Sequence, residues 1–569
     1  MPMRGVSITI RAVLATVALV TLSAVVSSGP ATGANARPAA ISTAGDRYSA
    51  IVGFRTTSGQ YAAPIDIAVM PGGQVFLLGV DSATYPTTVA QQDHVAFAMT
   101  PDPVGATLPA TTTVTPIAQP VDYPMVTVGN RTIDDALVCG GLTLMSDGSL
   151  MLAGGPRVIA DAATGAPMLI TGVPYGTDFT GTSWARLPGN MVGTGSYTTG
   201  RWYPTLTRLA NGKILVTGGY DLLDPVFSAN LSEEVYDPTA KTWTAISSKT
   251  QTPPQTHDAD YTAVFQLPTS VAGSDVLMLG EDGRPIFMSS ATTPATWRVS
   301  THLRPGAANG ATYSNGAGTA LLPIRLQNGQ WGYDNGSILT MSGKQGTTAM
   351  TRADIYDPVT DSWLPTIDTG TPRHYPAPVL LPDGRVLLIN GHDFTPDSSV
   401  LTPQYIDPAN GMAVTSSPAN GVEVRGYHNV AALLPDGRVM VAGGRDLDRA
   451  TTTEKPDYAY FSPSYMTQPR PVITTAPGVL GYGQTATVKS STVVPSEAVL
   501  MGLPSMTHSF DSNQRYVQLK MTVTATSGTN TTATIQGPVN ASTAPPGYYM
   551  LFLLDANRVP SVAKIVHIG

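Results

Sequence analysis

Five residues in this chain carry side chains that could do metal and redox chemistry: Cys139, Tyr203, the neighbours Tyr427 and His428, and His508. Imidazole, phenol and thiol side chains are donors that a transition metal can take. Cys139 is the only cysteine among 569 residues. In an exported chain an unpaired cysteine is either a bridge to another molecule or a thiol with a chemical task. Each residue also has a bland reading when taken singly. A lone cysteine is usually a small buried hydrophobe, Tyr203 a strand aromatic, and each histidine a turn or surface residue. Their placement sets them apart. Cys139 in "DDALVCGGLTLMSDGSLMLAGG", Tyr203 in "GRWYPTLTRLANGKILVTGG" and the Tyr427–His428 pair in "RGYHNVAALLPDGRVMVAGG" each precede, by a few residues, the turn of one recurring phrase.

That phrase is a polar turn with Gly, about four apolar residues, then Gly. It occurs as "MPGGQVFLLG", "MSDGSLMLAGG", "LANGKILVTGG", "GSDVLMLG", "NGSILTMSG", "LPDGRVLLING" and "LPDGRVMVAGG". The first Gly after each run falls at 79, 154, 218, 280, 343, 391 and 443, giving steps of 75, 64, 62, 63, 48 and 52. The last two steps sit near the ~50-residue period of kelch repeats, and the longer ones leave room for insertions. "EVYDPTAKTW", ending at Trp243, and "DIYDPVTDSW", ending at Trp363, supply an outer strand and its turn. These features predict an all-β fold, a seven-bladed kelch-type β-propeller of four-stranded blades, over a plain sandwich or a β-helix. The apolar run is the strand buried on both faces, and "DG" and "NG" make hairpin turns that need positive φ. In a propeller the starts of the inner strands converge on the axis, so residues distant in sequence meet there. Neighbouring strand residues face opposite ways. Tyr427 and His428 can therefore share one centre only if their strand begins with a bend.

After about residue 468 the phrase stops. "PRPVITTAPGVLGYGQTATVKSS", "TTATIQGP" and "YYMLFLLDANRVPSVAKIVHI" read as sandwich strands, predicting an immunoglobulin-like domain over 469–569 behind a propeller over 37–468. At the other end, "MPMRGVSITIR", the apolar run Ala12 to Val26 and "ANA" at Ala34 to Ala36 form the pattern of a cleaved signal peptide over 1–36. The run is shorter than the ~18 residues of a spanning helix. Secretion is therefore expected, without a membrane span after cleavage, an uncleaved anchor being the alternative. The remaining length calls for at least two domains. Charged residues are 12% of the chain, against 56 Gly and 48 Pro, as expected of short strands joined by tight turns. A net charge of −7 argues against nucleic acid as a partner. Sequons stand at Asn130 and Asn230.

The "RGYH…LLPDGRV" block, the "THS…NQR" block and the closing "GYYMLFLLDANRVPSVA", with the repeat and the C-terminal domain, resemble the copper radical oxidases, which include galactose oxidase and glyoxal oxidase. The resemblance covers nearly the whole mature chain. It implies one copper per chain, held by Tyr203, axial Tyr427 and equatorial His428 and His508. It also implies a thioether between Cys139 and Tyr203, forming a radical cofactor. One copper passes one electron, whereas oxidising an alcohol or aldehyde removes two. A tyrosyl radical would be the second store, its potential lowered by the sulfur, while Tyr427 would take the substrate proton.

"GRWYPTLTRLANGKILVTGG", "GATYSNGAGTALLP" and "LLPDGRVLLING" are more similar to glyoxal oxidase than to galactose oxidase. Little chain lies between the signal and the first blade for the carbohydrate-binding domain of the latter. Small aldehydes, oxidised to carboxylic acids with O2 reduced to H2O2, are the expected substrates. Primary alcohols, including sugar C6 hydroxyls, are the alternative. A non-catalytic glycan-binding propeller is the reading outside the enzyme class. One departure from galactose oxidase stands out: where it has a tryptophan covering the cross-linked ring, this chain has "GGYDLLDP", with Tyr220 and Asp221. Tyr220, a tryptophan of another blade, or nothing could then cover that ring. His94, His257, His302, His374, His392 and His567 match no ligand motif, and "PRHYPAPVLLPDGRV" reverses the Tyr-His order, so it reads as a repeat only.

Overall fold

The recurring phrase builds the same object each time. In "LPDGRVLLING" the turn joins strand Ala377–Leu380 to Val386–Ile389, which pairs with Gln404–Asp407, and that with Ala413–Ser416. Every residue of Val386–Ile389 is buried, because sheets cover it on both faces. The other phrases likewise supply the second strand of an antiparallel meander. The "DP" phrases form the third and fourth strands. Tyr236 meets Trp243 and Tyr356 meets Trp363, both at 5.1 Å between ring centres, with Lys241 and Asp361 at the same positive-φ turn position.

This is a computed structural model. It describes residues 41–569 apart from 83–92, 119–124, 156–174, 192–200, 222–227, 248–260, 307–315, 395–399, 446–453 and shorter internal stretches. The signal sequence, His257 and Asn130 lie outside the described residues. The described residues fall in one compact unit, Ala40–Gly569, and none of its helices is long and apolar enough to cross a membrane. It is an all-β structure.

First strands of successive meanders touch one another: Tyr61–Val69 meets Asn429–Leu433, Gly141–Leu144 meets Trp202–Arg208, and that strand meets Ala263–Val271. Paired glycines permit the closeness. A Cβ on Gly443, at φ +61°, would lie 1.9 Å from the Pro64 carbonyl oxygen of the neighbouring strand. One pairing is not legible in the repeat. Strand Val52–Thr56 pairs antiparallel with Asp457–Ser462, so the last meander takes its fourth strand from the start of the domain. That pairing covers a sheet edge that would otherwise template aggregation. The Asn230 sequon is closed in the folded chain, because Asn230 is fully buried and accepts from the Ser232 amide at 3.1 Å.

The C-terminal region is a sandwich. One sheet orders Val472–Thr475, Thr485–Ser491, Asn530–Gln536 and Met521–Ser527; the other contains Lys564–Ile568, Gly547–Leu554, Glu497–Gly502 and Tyr516–Leu519. From it a hairpin reaches out: Ser505–Thr507 pairs with Asp66 to Ala68 on the first meander. Val499, Met501, Leu503, Met506, Phe552 and Leu554 share a hydrophobic cluster with the meander strands. Removing 469–569 would expose that apolar face. A fragment ending near Gln468 is therefore expected to aggregate and to lack a cooperative melt in calorimetry; a soluble, sharply melting fragment would contradict this.

Candidate metal centre

The required bend is present, and it recurs. Cys139, Tyr203, Tyr261 and His428 take φ values of 63°, 67°, 44° and 66° at the starts of their strands, and His508 takes 45° on the inserted hairpin. Each costs an L-residue of order 1–3 kcal/mol, sustained only where surrounding structure fixes it. Buried arginines supply part of that fixing. Arg201 donates to the Gly218 carbonyl at 2.7 Å and pairs with Glu234 at 2.8 Å; Arg425 donates to the Gly443 carbonyl at 2.7 Å and pairs with Asp457. Arg373 donates to the Asn390 carbonyl at 2.8 Å. In "RWY", "RHY" and "RGY" the arginine thus ties the strand start to the end of the next strand. With His428 turned by its positive φ, the Tyr427 and His428 rings stack at 3.9 Å instead of pointing apart.

All five predicted residues come together. The Tyr203 and Tyr427 hydroxyls are 2.7 Å apart, and Cys139 Sγ is 3.9 Å from Nε2 of both His428 and His508. The His508 ring lies 4.7 Å from that of His428 and 5.2 Å from those of Tyr203 and Tyr427. The Tyr203 amide donates to the Cys139 carbonyl at 3.0 Å, so the two backbones are joined beside the thiol. Both imidazoles are oriented from behind. His428 Nδ1 is 2.6 Å from Glu454 Oε1, which Arg445 also holds, and His508 Nδ1 is 2.6 Å from the Thr507 hydroxyl. Such outer hydrogen bonds fix the tautomer and present Nε2 inward.

The electrostatics suit a cation. Burial pushes the pKa of His508 well below, and that of His428 below, the usual imidazole value, so both are neutral donors at neutral pH. Burial, then the neighbouring Cys139 and Tyr427, hold the Tyr203 phenol well above its ordinary pKa. Burial likewise raises the Cys139 thiol. Asp66, which weighs on that thiol electrostatically, is pushed up to about 8 by burial and is mostly protonated at neutral pH. Two neutral imidazoles converge with the hydroxyls of Tyr203 and Tyr427. A divalent cation there would drive the phenol protons off. Among the described residues, Cys139, His428 and His508 form a group able to hold a metal ion.

The structure adds residues that sequence reasoning missed. Tyr261 stacks on His508 at 4.4 Å and donates to the Gly140 carbonyl at 3.0 Å. Tyr375 meets Tyr427 edge-on at 4.9 Å. The "RHY" match to "RWY" and "RGY" could have identified Tyr375, whereas no local pattern marks Glu454 or Arg445. Trp202 covers the Tyr203 ring at 4.3 Å and 24° between planes, and Tyr220 lies against Trp202 at 6.0 Å. The cover therefore comes from the residue adjoining Tyr203, which its positive φ brings onto the same side. His374 and His392 are a buried pair 3.2 Å apart, burial taking His392 down to about 4. His567 contacts the Ser146 carbonyl at 3.1 Å, and His302 is exposed.

Residues 470–568 match the family described as galactose oxidase-like, Early set domain. A galactose oxidase of Gibberella zeae is 26% identical over 454 residues, 76% of this chain and 61% of that protein. Aldehyde oxidase GLOX1 of Arabidopsis thaliana is 28% identical over 412 residues, 65% of this chain and 63% of its own. The chain thus spans about three fifths of the length of these relatives. A solved structure described as a novel fungal alcohol oxidase with catalytic diversity among the AA5 family, in complex with copper, shares the fold. Its TM-score is 0.70 at 20% identity, over 92% of this chain and all of that one. The chain is thus similar to galactose oxidases and aldehyde oxidases, and residues 470–568 match the galactose oxidase-like Early set domain.

Proposed function

We propose that this chain is a secreted copper radical oxidase that converts small aldehydes, as their hydrates, to carboxylic acids while reducing O2 to H2O2. The scaffold would be a seven-bladed kelch-type propeller over 37–468 with an immunoglobulin-like domain over 469–569. The observation that carries this reading is the convergence of two phenols, two inward Nε2 atoms and one thiol from three meanders and the inserted hairpin. Tyr203, Tyr427, His428 and His508 would hold the copper. Bound there, copper supplies a one-electron couple. The Tyr203 ring, joined to Cys139 and covered by Trp202, would store the second oxidising equivalent. Tyr427, 2.7 Å from the Tyr203 hydroxyl, would receive the substrate proton. A gem-diol RCH(OH)2 loses two hydrogens to give RCOOH, and O2 gains them as H2O2, so the exchange balances.

The aldehyde reading rests on the "GRWYP" and "GATYSNGAGTALLP" blocks. The alcohol reading has its own observation: the alignment to galactose oxidase covers more of the chain than that to the aldehyde oxidase, 76% against 65%. A peroxide-coupled assay of copper-loaded protein against glyoxal, simple alcohols and galactose separates them. Turnover with aldehydes is expected to lead; faster turnover of alcohols selects the second reading, and no peroxide with any substrate rejects the oxidase.

The thioether makes a separate prediction. Forming it replaces one S–H and one ring C–H by a C–S bond, releasing two protons and two electrons, which O2 accepts as H2O2. Protein made without copper is expected to retain one alkylatable thiol, and copper in air to remove it. Peptide mapping should then show the Cys139 and Tyr203 peptides as one species that reductants do not split. An alkylatable Cys139 in active, copper-loaded protein would overturn the assignment.

A further inference from the structure

Beyond the metal centre, the hairpin that carries His508 continues into a second polar cluster. Arg208 ends the strand Trp202–Arg208 near whose start Tyr203 lies, roughly 17 Å away at ~3.3 Å per residue. Arg515 follows the hairpin. Both are buried, 6% and 5% exposed. Arg208 donates from Nη1 to the Leu144 carbonyl at 3.4 Å, its guanidinium 5.7 Å from the centre of the Tyr549 ring. Arg515 donates from Nη2 to the carbonyls of Gln266 at 3.0 Å and Ser542 at 3.3 Å. Among the described residues neither has a carboxylate partner, unlike the buried Arg201, Arg304 and Arg425, which pair with Glu234, Asp354 and Asp457. Asp511, the acid on this hairpin, instead accepts from the amides of Ser505 at 2.9 Å and Asn513 at 3.0 Å.

Among the described residues, Arg208 Nε, Arg515 Nη1 and Asn513 Nδ2 are buried donors with no hydrogen-bond partner, and the three residues line one partly open pocket of about 30 Å³. That volume holds one small ion or a water or two. Burial, with the neighbouring Arg208 charge, lowers Arg515 to about 10, so it remains a cation at neutral pH. Two desolvated cations without a counter-charge are costly. Waters could accept the hydrogen bonds but would leave the charge uncompensated.

We propose that Arg208, Arg515 and Asn513 form a binding site for a small monovalent anion of chloride size, which fastens the His508 hairpin to the strand that carries Tyr203. The site uses charge-assisted hydrogen bonds from two chain segments and is independent of any reading of the metal centre.

The test uses the full-length protein. In crystals grown with bromide, an anomalous peak is expected within hydrogen-bond distance of both guanidinium groups. In solution, replacing gluconate by chloride at constant ionic strength is expected to raise the melting temperature by ~2–5 °C once chloride is ~100-fold above its dissociation constant. Arg208→Gln and Arg515→Gln should abolish that difference. A merely structural role would lower both melting temperatures and preserve the difference between the two salts. Bromide-free density filled by water, or equal melting in chloride and gluconate, would overturn the proposal. The bromide experiment decides on the native chain even if a variant does not fold.

Discussion

Alanine at both His428 and His508 is expected to reduce bound copper from one per chain to a trace, with complete loss of oxidase turnover. These two residues supply the nitrogen donors of the cluster, and their Nε2 atoms are the ones fixed inward by Glu454 and Thr507. What remains is two phenols, whose pKa values a cation would have to lower unaided, and one thiol. The two losses differ in their surroundings. Removing the His508 ring leaves a void beside Tyr261, which stacks on it at 4.4 Å. Removing His428 takes one partner from Glu454, whose carboxylate Arg445 still holds. Neither change uncovers a charge without a partner, so the fold is expected to survive, at a cavity cost of ~2–5 kcal/mol. Metal analysis after loading and gel filtration is the measurement, with circular dichroism to confirm folding. Stoichiometric copper in a folded double variant would refute the ligand assignment.

Tyr427→Phe is expected to keep copper and lose ~10²–10⁴-fold in turnover, the usual cost of removing a general base. The substitution deletes one oxygen and leaves the ring, with its stacking on His428 at 3.9 Å and edge contact with Tyr375 at 4.9 Å, in place. The Tyr203 hydroxyl loses its 2.7 Å partner, but the Cys139–Tyr203 backbone bond does not depend on it. Copper content and thioether mapping should therefore match wild type while kcat falls. Near-normal kcat with full copper would place the base elsewhere, and loss of copper would make Tyr427 indispensable for binding.

Local chemistry made much of the fold legible. The turn glycines and the apolar run of "LPDGRVLLING" act within a dozen residues, so the phrase announced its two strands wherever it occurred. The alternation after residue 468 likewise announced a sandwich. Strand Val52–Thr56 was not legible as the partner of Asp457–Ser462, because closing a sheet with a strand some 400 residues away is decided by docking, not by local pattern.

The sequence by itself determined the all-β class, the recurring meander and the five residue types that gather at one centre. It also posed the bend at Tyr427–His428 as a geometric demand. Only the tertiary structure decided how that demand is met, through positive φ at the strand starts, with buried Arg201 and Arg425 bonded across to Gly218 and Gly443. It alone decided that Trp202 covers Tyr203, that Tyr261 backs His508 and that Glu454 holds His428. The physical reason is the same in each case. A turn or an apolar run is fixed by its own residues, whereas a side chain's partner across separate sheets is fixed by how those sheets pack.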